Sequence, residues 1–135
     1  MKSNMKTVLF VCVHNSGRSQ MAEVFFNQLA QGKARALSAG SNPAEAVDPV
    51  VIKVMEEIGM DLSAKKPKAL TPEMVERADR VVTMGCGVEG VCPATWVETE
   101  DWGLDDPKGK PIEKVREMRD EIEAKVTGLV RETGA

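Results

Sequence analysis

The sequence predicts an α/β domain with a four-stranded parallel sheet flanked by helices on both faces. Three observations carry that expectation. Short β-branched apolar runs alternate along the chain with longer stretches of helical periodicity. The runs are apolar at successive positions rather than alternating, as strands buried on both faces are. Helix-start signals, Asp-Pro at 48 and 49 and Thr-Pro at 71 and 72, stand between them.

TVLFVCV, residues 7 to 13, is the first buried strand. A helix follows over 19 to 32, capped by Ser19 or a near neighbour, with Met21, Val24, Phe25 and Leu29 at helical spacing and Gly32 as its stop. ARALS, 34 to 38, is a short second strand that ends in the turn-rich AGSNPAE. Asp48 and Pro49 read as N-cap and first residue of a helix carrying Val50, Val51, Val54, Met55 and Ile58, closed by Gly59. Thr71-Pro72-Glu73 opens a short helix, and DRVVTM, 79 to 84, is the third strand. ATWVE, 94 to 98, is the expected fourth. Pro111 begins a long final helix whose stripe is Ile112, Val115, Met118, Ile122, Val126, Leu129 and Val130.

The composition narrows the function classes. A chain of 135 residues fits one domain, 1–135, with one site to look for. Hydrophobic residues make up 42%, charged residues 29%, and the net charge is -3, so nothing points to nucleic-acid binding. The apolar run behind MKSNMK is too short for a signal peptide, and no stretch is long enough to span a membrane. A cytoplasmic location and a monomer, with no extra apolar face, are the expectations. Three cysteines, an odd number, argue against a secreted disulfide scaffold and for catalytic, redox or metal-binding use.

Cys12 stands near the end of the first strand, and the loop through Arg18 follows it before the next helix begins. In a parallel sheet, ligands sit beyond the carboxyl ends of the strands. Backbone N–H groups of residues 13 to 19, with the positive end of the helix dipole, would cradle a tetrahedral oxyanion. The same field stabilises a thiolate at Cys12. Arg18 offers a planar, permanently charged fork for two anion oxygens. Asn15 and Ser16 can fix the loop through side-chain bonds, and Gly17 permits a tight approach. The plain alternative is a buried cysteine beside a surface arginine, because a bare C-x5-R spacing is common.

Two further segments bear on the same edge. Cys86 and Cys92 follow the third strand in MGCGVEGVCPATW. Beside a reactive Cys12 they suggest a disulfide relay. A zinc site from Cys12, His14, Cys86 and Cys92 has suitable ligand types, but the spacing is not the usual C-x2-4-C; inert cysteines are the other alternative. DWGLDDPKGKP, 101 to 111, puts Asp106 on a loop that could fold over the cradle as a general acid, or be an ordinary solvated turn.

Together FVCVHNSGRSQMAE, SAG at 38 to 40, the Cys86 and Cys92 loop, and WGLDDP resemble the arsenate reductases that share the low-molecular-weight protein tyrosine phosphatase fold and are recycled by thioredoxin. The resemblance runs from Lys6 to about Glu132, and it implies that fold, a Rossmann-like three-layer arrangement. It implies arsenate as substrate, bound by Val13, His14, Asn15, Ser16, Gly17, Arg18 and Ser19, with Cys12 as nucleophile and Asp106 protonating the leaving oxygen. Cys86 would then attack Cys12, and Cys92 would resolve that disulfide, leaving a Cys86–Cys92 disulfide for thioredoxin to reduce. No metal or other cofactor is implied.

The departures from the family pattern are specific. Gly17 stands where many members carry a further cysteine. Members that bind potassium use an Asn, a Glu, a Ser and an Asp; Asn15, Glu23 and Ser38 match, but the last position is Lys68, whose ammonium could replace the cation. No potassium dependence is therefore expected. His14, at a variable position of the loop, reads as packing or surface rather than catalysis. A tyrosine phosphatase acting through a phosphocysteine on Cys12 is the alternative within the fold. Against it, Lys108 follows Asp-Pro where such phosphatases commonly carry an aromatic residue. A non-catalytic oxyanion or zinc sensor is the alternative outside enzymes.

Overall fold

The computed structural model describes residues 6–84, 99–104 and 107–133. The elements run β1 (Lys6–Cys12), α1 (Arg18–Ala30), β2 (Ala34–Gly40), α2 (Pro49–Glu56), α3 (Pro72–Arg77), β3 (Arg80–Thr83), β4 (Thr99–Asp101) and α4 (Ile112–Glu132). Among the described residues the strands form one parallel sheet in the order β2-β1-β3-β4. Cys12 pairs with Gly40, and Val11 with both Ala39 and Thr83, so the carboxyl ends of the three strands share one edge.

The continuous apolar run of β1 is explained by burial on both sides. Val8, Phe10 and Cys12 point into a core built with Phe25, Phe26, Val54, Val82, Ile122 and Val126. Leu9 and Val11 point the other way, onto Val75, Ala78 and Val81. Helices α1, α2 and α4 supply the first core and α3 the second, so helices flank both faces as expected. Burying each large side chain of this kind contributes about 1.5–3 kcal/mol. Phe10 meets Phe26 edge-on at 6.1 Å and Trp102 at 5.8 Å, which ties β1 to α1 and to the segment after β4.

Polar contacts finish the frame. The Asn27 amide of α1 pairs both backbone groups of Ala36, accepting from its N–H at 2.8 Å and donating to its carbonyl at 3.2 Å, and so occupies part of the outer edge of β2. Arg80 at the start of β3 reaches Glu100 at 2.9 Å and Glu132 at 2.8 Å, binding the end of α4 to the sheet. Arg119 of α4 donates to the Val54 carbonyl at 2.8 Å and to Glu57 at 3.1 Å, locking α4 to the end of α2.

Asp48 and Thr71 cap α2 and α3 through side-chain bonds to Val50 and Met74, with Pro49 and Pro72 in the first positions. Ser19 does not cap α1. The helix starts at Arg18 with Gly17 as N-cap, so Ser19 lies inside the first turn and its hydroxyl turns to Cys12. α1 ends at Ala30, where Gln31 and Gly32 both take positive φ. Leu29 and Ile58 are 40% and 39% exposed. Each lies at or past the last turn of its helix, and an apolar stripe is buried only as far as a partner covers it. The described part of the fourth strand is Thr99–Asp101 rather than 94–98, which lies outside the described residues. No helix among the described residues is long and apolar enough to cross a membrane.

Candidate active site

β1 delivers Cys12, 1% exposed, to the sheet edge, and residues 13–17 carry the chain into α1. The segment after β2 holds this loop from outside. Ser41, Asn42, Ala44 and Asp48 donate their N–H groups to the carbonyls of Cys12, Val13, His14 and Ser16, at 3.2, 2.8, 3.0 and 2.9 Å. With those carbonyls turned outward and engaged, the loop keeps one conformation. Gly40 makes the approach possible: a Cβ there would lie 2.6 Å from the Val13 carbonyl oxygen and 2.9 Å from the Asn15 nitrogen.

Asn15 is buried and takes the left-handed conformation, φ 51. This turns its N–H toward the Cys12 Sγ at 3.2 Å. The Ser19 Oγ lies 2.9 Å from the same sulfur and accepts from the Asn15 Nδ2 at 2.7 Å. Because Ser19 belongs to the first turn of α1, the sulfur sits at the positive end of that helix. The Asn15 N–H donates to the sulfur, and the Ser19 hydroxyl is placed to do so as well.

Arg18 is 4% exposed, not a surface residue. Its Nη1 donates to the carbonyls of Met84, just past β3, at 2.6 Å, and Leu104, past β4, at 2.9 Å. Those bonds set the plane of the guanidinium beside the loop. Gly17 faces Pro107, and a Cβ at 17 would fall 2.7 Å from the Pro107 Cγ. Pro107 therefore lies against the loop at the position where the family pattern often has a cysteine.

Val13 and Ser16 are half-buried, and the His14 Nδ1 lies 3.1 Å from the Asn42 carbonyl. His14 packs against the bracing segment and makes no described contact with Cys12. A cleft of about 590 Å³ opens beside the loop between His14, Ser16, Pro43, Asp48, Pro49 and Lys108.

Below the loop, the buried Glu23 of α1 accepts a hydrogen bond from the Ser38 hydroxyl. Its carboxylate has the Lys65 ammonium at 3.4 Å and that of Lys68 at 3.7 Å. All four residues that correspond to the family's potassium position thus meet, Glu23, Ser38 and Lys68 directly and Asn15 through its Oδ1, which accepts from the Lys68 N–H at 2.8 Å.

The structure brings together Cys12, Asn15, Arg18 and Ser19; Cys86, Cys92 and Asp106 lie outside the described residues. Among the described residues no group of three or more His, Cys, Asp or Glu could hold a metal ion. Sequence reasoning missed Lys65 and Gln20. The signal for Lys65 was the KKPK run, which reads equally as a solvated turn. The signal for Gln20 was a polar side chain beside Met21 on a helix face that turns out to be fully buried.

A profile of the low molecular weight phosphotyrosine protein phosphatase family matches residues 7–134. A putative arsenate reductase of Halobacterium salinarum is 41% identical over 128 residues, 91% of this chain and 89% of that protein. A thioredoxin-dependent arsenate reductase of Corynebacterium glutamicum superposes with a TM-score of 0.84 at 36% identity; the match covers 99% of this chain and 64% of that one. An arsenate reductase in its phosphate-binding state gives 0.85 at 37% identity, covering 96% and 99%. The chain belongs to the low molecular weight phosphotyrosine protein phosphatase family, on the branch it shares with the arsenate reductases.

Proposed function

We propose that this protein reduces arsenate to arsenite through a three-thiol relay recycled by thioredoxin. The observation that carries the reading is the surroundings of Cys12: a buried sulfur at a helix N-terminus with a hydroxyl at 2.9 Å, an N–H donor at 3.2 Å and a buried arginine alongside. A tetrahedral oxyanion is held by the amides of residues 13–19 and by Arg18. The Cys12 thiolate attacks arsenic, and an arsenate oxygen leaves as water with a proton from Asp106. Cys86 attacks the Cys12 sulfur, and the electron pair of the broken S–As bond stays on arsenic, which departs as arsenite. Cys92 attacks Cys86 and frees Cys12; thioredoxin then reduces the Cys86–Cys92 disulfide. The roles of Cys86, Cys92 and Asp106 rest on their sequence positions and on the similarity to arsenate reductases.

The same reading takes residues 1–135 as one domain acting as a cytoplasmic monomer. It needs no resident cofactor and no potassium. Support for the last point is the Glu23 carboxylate, which has two lysine ammoniums within 4 Å where a cation would otherwise be required. Phosphate-ester hydrolysis through a phosphocysteine on Cys12 is the second reading. What favours it is the 590 Å³ cleft, larger than a bare oxyanion needs, and the family's phosphatase members.

One experiment separates the two. Arsenate-dependent NADPH oxidation is followed with thioredoxin and thioredoxin reductase, in potassium and in sodium chloride, for wild type and Cys92→Ser, with p-nitrophenyl phosphate hydrolysis in parallel. Turnover equal in both salts and lost in Cys92→Ser, with ester hydrolysis retained, is expected. Brisk ester hydrolysis without arsenate turnover would transfer the assignment to the phosphatase.

A further inference from the structure

We infer that Gln20 is a positioning residue for Cys12: it holds Asn15 left-handed and thereby aims the Ser19 hydroxyl proton at the Cys12 sulfur. The inference rests on the reading of Cys12 as the nucleophile. Gln20 is fully buried and touches neither the sulfur nor the expected position of the anion. Its Nε2 instead faces three oxygens: the Asn15 carbonyl at 3.1 Å, the Asn15 Oδ1 at 3.0 Å and the Lys66 carbonyl at 3.2 Å. One amide group thus clasps the main chain and the side chain of the same left-handed residue.

The directions of the bonds follow from atoms that can act in only one way. The Lys68 backbone N–H can only donate, and it points at the Asn15 side chain at 2.8 Å, so the atom it meets is the amide oxygen. The other end of that amide, Nδ2, must then face Ser19, and it too can only donate. The Ser19 Oγ spends a lone pair on Nδ2, and among the described residues its other hydrogen-bonding neighbour is the Cys12 Sγ at 2.9 Å. A Cys12 thiolate can only accept, so in that state the Ser19 proton goes to sulfur. Two carbonyl oxygens fix the Gln20 end in the same manner, because only an NH2 group satisfies them.

Without this clasp the arrangement has a competitor. A left-handed, non-glycine residue costs on the order of 1–3 kcal/mol and persists only when its surroundings over-determine it. Gln20 supplies two contacts to Asn15 and, through Lys66, anchors the segment that brings the Lys68 N–H to bear. Removing its amide leaves one external bond to the Asn15 Oδ1, that from Lys68.

The test reads Cys12 directly, without arsenate. In a Cys86→Ser/Cys92→Ser background, carboxamidomethylation of Cys12 by iodoacetamide is timed at neutral pH and at about pH 10, above the ordinary thiol pKa of about 8.5. Gln20→Met keeps the volume and removes the donor; it is expected to slow the neutral-pH reaction about tenfold, with the high-pH rate changed less than twofold. Ser19→Ala should slow it similarly, and the double variant should be no slower than the slower single one, because both act along one path. If Gln20→Met fails to fold, Gln20→Asn withdraws the amide by one methylene, keeps a polar group in place and should give the same loss. A folded Gln20 variant alkylated at the wild-type rate, or a double variant whose losses multiply, would overturn the inference. Since the readout is a thiol reaction, a failure of the arsenate assignment leaves it intact.

Discussion

Gly40→Ala tests the account of how the loop is held. The added Cβ would stand 2.6 Å from the Val13 carbonyl oxygen, 2.9 Å from the Asn15 nitrogen and 3.0 Å from the Asn15 Cβ. Carbon and carbonyl oxygen rest at about 3.3 Å or more, so the backbone must yield by roughly 0.7 Å at its closest point. Neither side has room to give freely, because Gly40 is paired to Cys12 in the sheet and its own N–H is bonded to the Lys68 carbonyl. The displacement falls on residues 13 to 15, and the Asn15 N–H leaves the sulfur. Overpacking of this size costs about 1–3 kcal/mol of stability. A 1 Å misplacement can cost about 100-fold in rate, so arsenate kcat/KM should fall at least tenfold. Gly128→Ala in α4 is the matched control. Its Cβ meets nothing within 4 Å, so it should raise stability by about 0.5–1 kcal/mol and leave turnover unchanged. Urea unfolding and arsenate turnover on both variants give the answer. A Gly40→Ala protein with wild-type stability and rate would refute the close-approach argument.

Two other outcomes follow from single contacts. Gly17→Ala places a Cβ 2.7 Å from the stiff Pro107 ring; Pro107 is pushed off the loop, and turnover should drop several-fold, while a variant as fast as wild type would show that this contact is not made in solution. Glu57 is held below its ordinary value of 4.5, first by its hydrogen bond from Arg116, against partial desolvation, and then by the Arg116 charge and by Arg119. A depressed carboxyl stabilises the fold above its unfolded pKa and loses that contribution as pH falls through the folded one. The Tm difference between wild type and Glu57→Gln should therefore be complete at pH 7 and shrink as the pH falls below 4.5 and through the depressed folded value; a gap that does not change with acidification would refute the ion-pair origin.

Much of this molecule was legible in the chain because the strongest signals are local. Successive apolar residues in TVLFVCV can only be a strand covered on both sides, and Asp48-Pro49 and Thr71-Pro72 announce helices by the chemistry of their own first turns. The site was legible for the same reason: Cys12, Asn15, Arg18 and Ser19 lie within one short stretch. Where the reading slipped, the deciding partner was distant. Ser19 is a good N-cap by type, yet the loop that brings Cys12 and Asn15 to its hydroxyl moves the helix start to Arg18.

The sequence by itself determined the class of fold, the place of the cysteine at a strand end and the kind of anion it could face, since these depend on residue types and spacing along a short segment. Only the tertiary structure decided which groups converge on it. Lys68 meets Asn15, Lys66 meets Gln20, Lys65 meets Glu23, and Gly40 meets Val13. Each of those contacts joins residues far apart in the chain, where hydrogen-bond direction and sub-ångström clearance, not periodicity, set the outcome.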